Sequence, residues 1–361
     1  MTIARQRLTQ LSIALLLMGL VCSATPSPIL PGLEAAAQVR VYKQVITLRS
    51  YDWRSALVPT SADDPIYPYP RLNFDNVGPA TDITTTVIVL ESAGTRLTIA
   101  PEYGGRILRW FDKKNQREVL YVNPVIKPTR WGYRGWWLAT GGIEWAFPTN
   151  EHGLNEWRPW RYQTYSGSGY AGVTVSDHED RTGLDVSVTV ALYANEQIAL
   201  IPRISNRTRS TQTFQFWINA MLPYAPDLKF DLPANQVEIH STGDESLPGP
   251  GQQIDWPIFK GRDFSKASEW HQYLGVFVAP ATQGRASIRN SATNARVTRT
   301  FPVSVARGVK LFLLGDLPSD LYTDGDSRYL EMWGGYTRTF DENATLKPGR
   351  SVTWIEYWSA R

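Results

Sequence analysis

Between positions 130 and 160 the chain carries Trp131, Trp136, Trp137, Trp145, Trp157 and Trp160, threaded through Gly132, Gly135, Gly141, Gly142 and Gly153. Glu144, Glu151, His152, Glu156, Arg130, Arg134 and Arg158 share the same stretch. Tryptophan is an awkward residue for a plain core, because it is large and its N–H needs a partner. Flat indole faces beside carboxylates and guanidinium groups suit a sugar site. Rings stack on the C–H faces of a pyranose, and the charged groups bond its hydroxyls. The structural alternative is that glycine-rich loops fold bulky rings back over a sheet.

A second cluster lies at Tyr329-Leu330-Glu331-Met332-Trp333. On a strand, alternate side chains share a face, so Tyr329, Glu331 and Trp333 point one way and Leu330 and Met332 the other. A carboxylate between aromatic rings is poorly solvated, which suits it to take a proton. The same spacing groups Trp354, Glu356 and Trp358, where a structural role for Glu356 is expected. Arg106 follows Gly104-Gly105, whose glycines permit a tight turn. Its guanidinium could fork onto two sugar hydroxyls or hold Glu144 in place.

The elements that must position these groups read as strands. Leu184, Val186, Val188, Val190 and Leu192 alternate with Asp185, Ser187, Thr189 and Ala191, the period of a half-buried strand. Similar runs cover 83–90, 96–100, 106–111, 197–204, 214–220, 273–279, 309–314, 329–333 and 352–358, separated by turn clusters such as Lys347-Pro348-Gly349. No stretch sustains a helical period with caps at both ends. The expected class is all-β, one large antiparallel β-sandwich with few short helices. Two proline-rich stretches, 59–79 and 247–257, carry Tyr67, Tyr69, Phe74 and Trp256, and are expected to be ordered loops covering a cleft.

Arg5, Arg7 and the apolar run 11–24 read as an export signal, too short to span a bilayer comfortably. Cleavage is expected after position 24 or 37; the second is preferred because a strand begins at Gln38. An uncleaved anchor is the alternative. Cys22 is the only cysteine, and Val21 before it argues against lipidation. The mature chain, 38–361, is then thiol-free and is expected to form a single extracytoplasmic domain without a transmembrane span. Lys and Arg total 37 against 34 Asp and Glu, so no basic footprint for nucleic acid exists. Four histidines make a histidine-rich metal centre an unattractive reading.

Several motifs resemble a bacterial domain family of uncharacterised function in the galactose mutarotase-like superfamily. They are Pro101-Glu102-Tyr103-Gly104-Gly105-Arg106-Ile107-Leu108, Tyr121-Val122-Asn123-Pro124, Gly141-Gly142-Ile143-Glu144-Trp145, Asn206-Arg207-Thr208, Phe214-Gln215-Phe216-Trp217-Ile218-Asn219-Ala220 and Trp354-Ile355-Glu356-Tyr357-Trp358. The resemblance implies a β-supersandwich that binds carbohydrate in a groove on one sheet. Gly141-Gly142-Ile143 with Phe147-Pro148, His152-Gly153 and Trp160 also resembles the active-site loop of hexose-phosphate mutarotases, which puts His152 at the sugar. By likeness to mutarotases, Leu330-Glu331 before the Pro-Gly turn makes Glu331 the base for the anomeric hydroxyl. One departure stands out: no histidine follows Asn219, where those enzymes keep their general acid, and an amide cannot supply a proton.

Three functions follow. The first is an aldose 1-epimerase-like enzyme with Glu331 as base and His152 (or Tyr224) as acid. In it Glu144, Arg106, Asn219, Trp136, Trp137, Trp145, Trp160 and Trp333 bind substrate, and no cofactor or metal is needed. The second is a non-catalytic glycan-binding module. The third is a glycoside hydrolase using Glu144 and Glu331.

Overall fold

A computed structural model describes residues 38–278 and 281–361. The expected signal segment lies outside the described residues. Those residues are built of strands with five three-residue 3-10 turns, and they form two large sheets packed face to face. The fourteen-stranded sheet runs from an edge at Gln253–Asp255 through Gln236–Thr242, Leu274–Phe277, Gly308–Leu313, Tyr329–Gly335, Trp217–Pro223 and Ile143–Ala146 to Arg106–Asp112. It continues through Thr95–Ala100, Gly78–Glu91 and Arg40–Asp52 to Val122–Thr129 and Trp137–Gly141. The nine-stranded sheet is centred on Leu184–Tyr193, Ile198–Asn206, Glu356–Ala360 and Arg296–Thr300.

Alternation explains the core. Leu184, Val186, Val188, Val190 and Leu192 are all buried between the sheets, while Asp185, Ser187 and Thr189 remain partly exposed on the other face. Ile143, Trp145, Ile218, Ala220, Leu330 and Met332 face them from the larger sheet. The residues between these positions therefore point to the opposite face of that sheet.

Three sequence expectations shift in detail. The run 214–220 breaks at Gln215-Phe216 into Gln212–Phe214 and Trp217–Pro223. The run 352–358 breaks at Trp354-Ile355 into Ser351–Thr353 and Glu356–Ala360. Nevertheless Trp354, Glu356 and Trp358 are all buried and Ile355 is exposed. Glu356 is a structural anion, gripped by both ends of the Arg299 fork at 2.6 and 2.7 Å. The proline-rich loops are ordered, but they pack against the body rather than line the cavity described below. Ile66 and Tyr69 pack on Leu154 and Trp157, and Trp256 joins the main core.

Between Trp137–Gly141 and Ile143–Ala146 the chain reverses on two adjacent left-handed residues, Gly141 (φ 75°) and Gly142 (φ 84°). A Cβ on Gly142 would sit 2.1 Å from the Ile107 carbonyl oxygen, so no other residue fits. This reversal lays Trp137 against the face on which Glu144 emerges.

Candidate functional site

Strand register writes the site across the non-core face of the larger sheet. Glu144 pairs with Asn219, Asn219 with Trp333, Trp333 with Lys310, and Lys310 with Phe277. Two residues along the strands, Met221, Glu331 and Phe312 form the adjoining row. His240 joins from the next strand, where a break in register between Ile239 and Ser241 leaves it as the extra, unpaired residue of a bulge. His152 arrives from the loop after Ile143–Ala146 and stacks on Trp137, with ring centroids 3.9 Å apart and planes 19° from parallel.

Glu144 sits at the centre and has no exposed surface. Its carboxylate accepts from Trp137 Nε1 at 2.8 Å, from Asn219 Nδ2 at 3.1 Å and from His152 Nδ1 at 2.6 Å. The Arg106 guanidinium lies 3.2 Å away. The Asn219 amide also donates to Glu331 Oε1 at 3.1 Å, and Trp333 Nε1 donates to Glu331 Oε2 at 2.9 Å. One amide thus ties both carboxylates together, and His152 is tied in through Glu144. Asn219 Oδ1 is buried without a partner among the described residues.

The electrostatics follow from this packing. Burial pushes His152 toward its neutral form, but the Glu144 carboxylate outweighs that, and its pKa is raised above the ordinary 6.5. Burial likewise opposes charge on Glu144, yet His152 and Arg106 hold its pKa below the ordinary 4.5. Both shifts favour the imidazolium–carboxylate form of the pair. Nδ1 is spent on Glu144, which leaves Nε2 as the ring nitrogen free to face a ligand.

A cavity of about 340 Å³ opens above these rows. Glu331, His152, Trp333, Lys310, His240 and Tyr329 are in its wall, together with Trp131, Glu151, Tyr273 and Leu317. Its volume lies at the small end of ligand pockets.

Of the residues singled out from sequence, Glu331, His152 and Trp333 meet at this cavity. Glu144, Asn219, Arg106 and Trp137 lie directly behind them. Arg106 takes the second of its two expected roles: fully buried, it bonds Tyr103 O, Glu156 O and Thr140 and braces Glu144. Trp136, Trp145 and Trp160 are not at the cavity. Trp145 and Trp160 lie in the inter-sheet core, with their N–H groups on the Gly105 and Asn155 carbonyls. Trp136 packs under the Arg134 guanidinium and donates to Pro70 O. Each indole N–H found a backbone acceptor, which removes the polar penalty that argued against burying it. Tyr224 packs against the core and does not line the cavity.

Sequence reasoning missed Lys310 and His240. Lys310 was legible: in Val309-Lys310-Leu311-Phe312-Leu313 it alternates with core positions, which places it on the face opposite them. His240 was not, because a bulge breaks the strand period.

Residues 62–360 match DUF5107, a domain of unknown function, and the chain belongs to that family. A TPR-domain-containing protein from Parabacteroides distasonis superposes with a TM-score of 0.76 at 24% identity, over 90% of this chain and 55% of that one. This chain therefore spans about half the length of that relative. A galactose mutarotase-like protein from Clostridium acetobutylicum superposes with a TM-score of 0.56 at 10% identity, over 77% of this chain and 95% of that one. A galactose mutarotase-like protein from Lactobacillus casei gives a TM-score of 0.50 at 11% identity, over 76% and 100%. At these identities the likeness carries the fold, a galactose mutarotase-like β-sandwich, and the site must be argued on its own geometry. Among the described residues no helix is long and apolar enough to cross a membrane.

Proposed function

We propose that the chain is an exported carbohydrate-active protein of the aldose 1-epimerase type, with Glu331 as base and His152 as acid. The observation that carries this reading is the Asn219 amide, 3.1 Å from both Glu331 and Glu144, which links the base to the carboxylate that holds His152, with Glu331 and His152 both at one cavity. Glu331 takes the proton of the anomeric hydroxyl, the C1–O1 bond becomes a carbonyl, and the C1–O5 bond breaks. The ring oxygen receives the proton of His152 Nε2. Rotation about C1–C2 and the reverse transfers close the other anomer. Glu144 keeps His152 charged and aimed, which supplies the acid that mutarotases keep after the position of Asn219. The hydrolase reading is disfavoured, because Glu144 is fully enclosed and its oxygens already accept from Trp137, Asn219 and His152.

Polarimetry on freshly dissolved α-D-galactose and α-D-glucose tests this. The protein is expected to accelerate anomer exchange, and Glu331→Gln and His152→Gln are each expected to lower the rate by about 10²–10⁴-fold. Sugar binding without acceleration in the unsubstituted protein would establish the non-catalytic module instead.

A further inference from the structure

Lys310 lies in the middle of a strand, 3% exposed, yet its ammonium has no hydrogen-bond or ion-pair partner among the described residues. Its stem and head run through a box of rings, 4.3 Å from the Phe340 centroid, 4.8 Å from Trp333 and 5.1 Å from Phe312. Cation–π contact offsets part of the cost of removing a charge from water, but it offers no acceptor for three N–H donors. The carboxylates nearby do not serve. Both oxygens of Glu331 already take donors, from Asn219 and Trp333. Glu151 stands at the cavity side and makes no ion pair with Lys310. The one direction left open is the cavity, which Lys310 helps to line.

We propose that Lys310 anchors a carboxylate of the ligand, so that the cavity takes an acidic sugar, a uronate, in preference to a neutral hexose; this rests on the carbohydrate reading above. A carboxylate brings one negative charge and two acceptors to a single ammonium. A phosphate ester fits less well. It carries more charge, no arginine among the described residues lines the cavity, and Glu331 and Glu151 would repel it. The groups facing Lys310 are Glu331 on its partner strand, His240 on the bulged strand, and Glu151 and His152 on the covering loop. Burial pushes Lys310 down to about 8, with Glu331 and Glu151 opposing the shift, and His240 is pushed down to about 3 by burial and by Lys310. His240 is therefore neutral and can donate to a sugar hydroxyl without adding charge. A bound carboxylate favours the ammonium, so binding above pH 8 draws a proton from solution.

Calorimetric titration of the full chain with D-galacturonate, D-galactose and galactose 6-phosphate at pH 7 tests this. Galacturonate is expected to bind at least about tenfold tighter than galactose, equivalent to about 1.4 kcal/mol. Lys310→Met is expected to erase that gap and Lys310→Arg to retain part of it. At pH 8.5, titrations of the unsubstituted protein in two buffers of different ionisation enthalpy are expected to report net proton uptake, a readout that needs no variant. Equal binding of galactose and galacturonate overturns the role of Lys310 and leaves the carbohydrate reading standing. Tighter binding of the phosphate ester overturns the choice of carboxylate. If no sugar binds to the folded protein, both readings fall.

Discussion

At the scale of single residues, the site depends on one buried ion pair. The His152 pKa is raised, so its contribution to stability is complete below 6.5 and is lost as pH rises through the folded value. The Glu144 pKa is lowered, so its contribution is complete above 4.5 and is lost as pH falls through the folded value. Both contributions are whole only between 4.5 and 6.5. Glu144→Gln strands a buried imidazolium and the Arg106 guanidinium, and is expected to cost about 3–5 kcal/mol. The difference from the unsubstituted protein is expected to peak in that window in urea titrations and to shrink on either side. A flat profile would show that His152 does not share its charge with Glu144. Glu331→Gln, whose partners are two neutral donors, is expected to change stability far less than activity.

At the scale of elements, strand period was the reliable guide. It placed Tyr329, Glu331 and Trp333 on one face, and all three line the cavity. The same rule, applied to Val309-Lys310-Leu311, would have found Lys310. Tryptophan-rich loops were a poorer guide. An indole among glycines looks the same in sequence whether its N–H meets a sugar or a carbonyl, and for Trp136, Trp145 and Trp160 it meets a carbonyl. What no local pattern could supply is the pairing of distant strands that brings Glu144, Asn219 and Lys310 into one row. The Gly141-Gly142 reversal is the element that sets Trp137 against Glu144. Gly142→Ala is expected to destabilise the protein by at least about 2 kcal/mol, from left-handed strain plus the clash with Ile107 O. Chemical denaturation would measure this, and an unaltered midpoint would mean that the turn is free to rearrange.

At the scale of the whole molecule, the strand Glu356–Ala360 lies inside its sheet, between Ile198–Asn206 and Arg296–Thr300. Trp358 pairs with Ile198 on one side and with Arg299 on the other. Deleting 351–361 would unpair both neighbours and strip Glu356 from buried Arg299. Such a protein is expected to show no cooperative thermal transition by circular dichroism; a sharp melt would show that the sheet closes without it. The same arrangement governs the newborn chain on the ribosome. Until residue 360 has left the exit tunnel, the two flanking strands keep bare edges that invite pairing with other polypeptides. The sheet therefore closes only once its last strand is available, and its central edges are most open to mispairing in the interval before that.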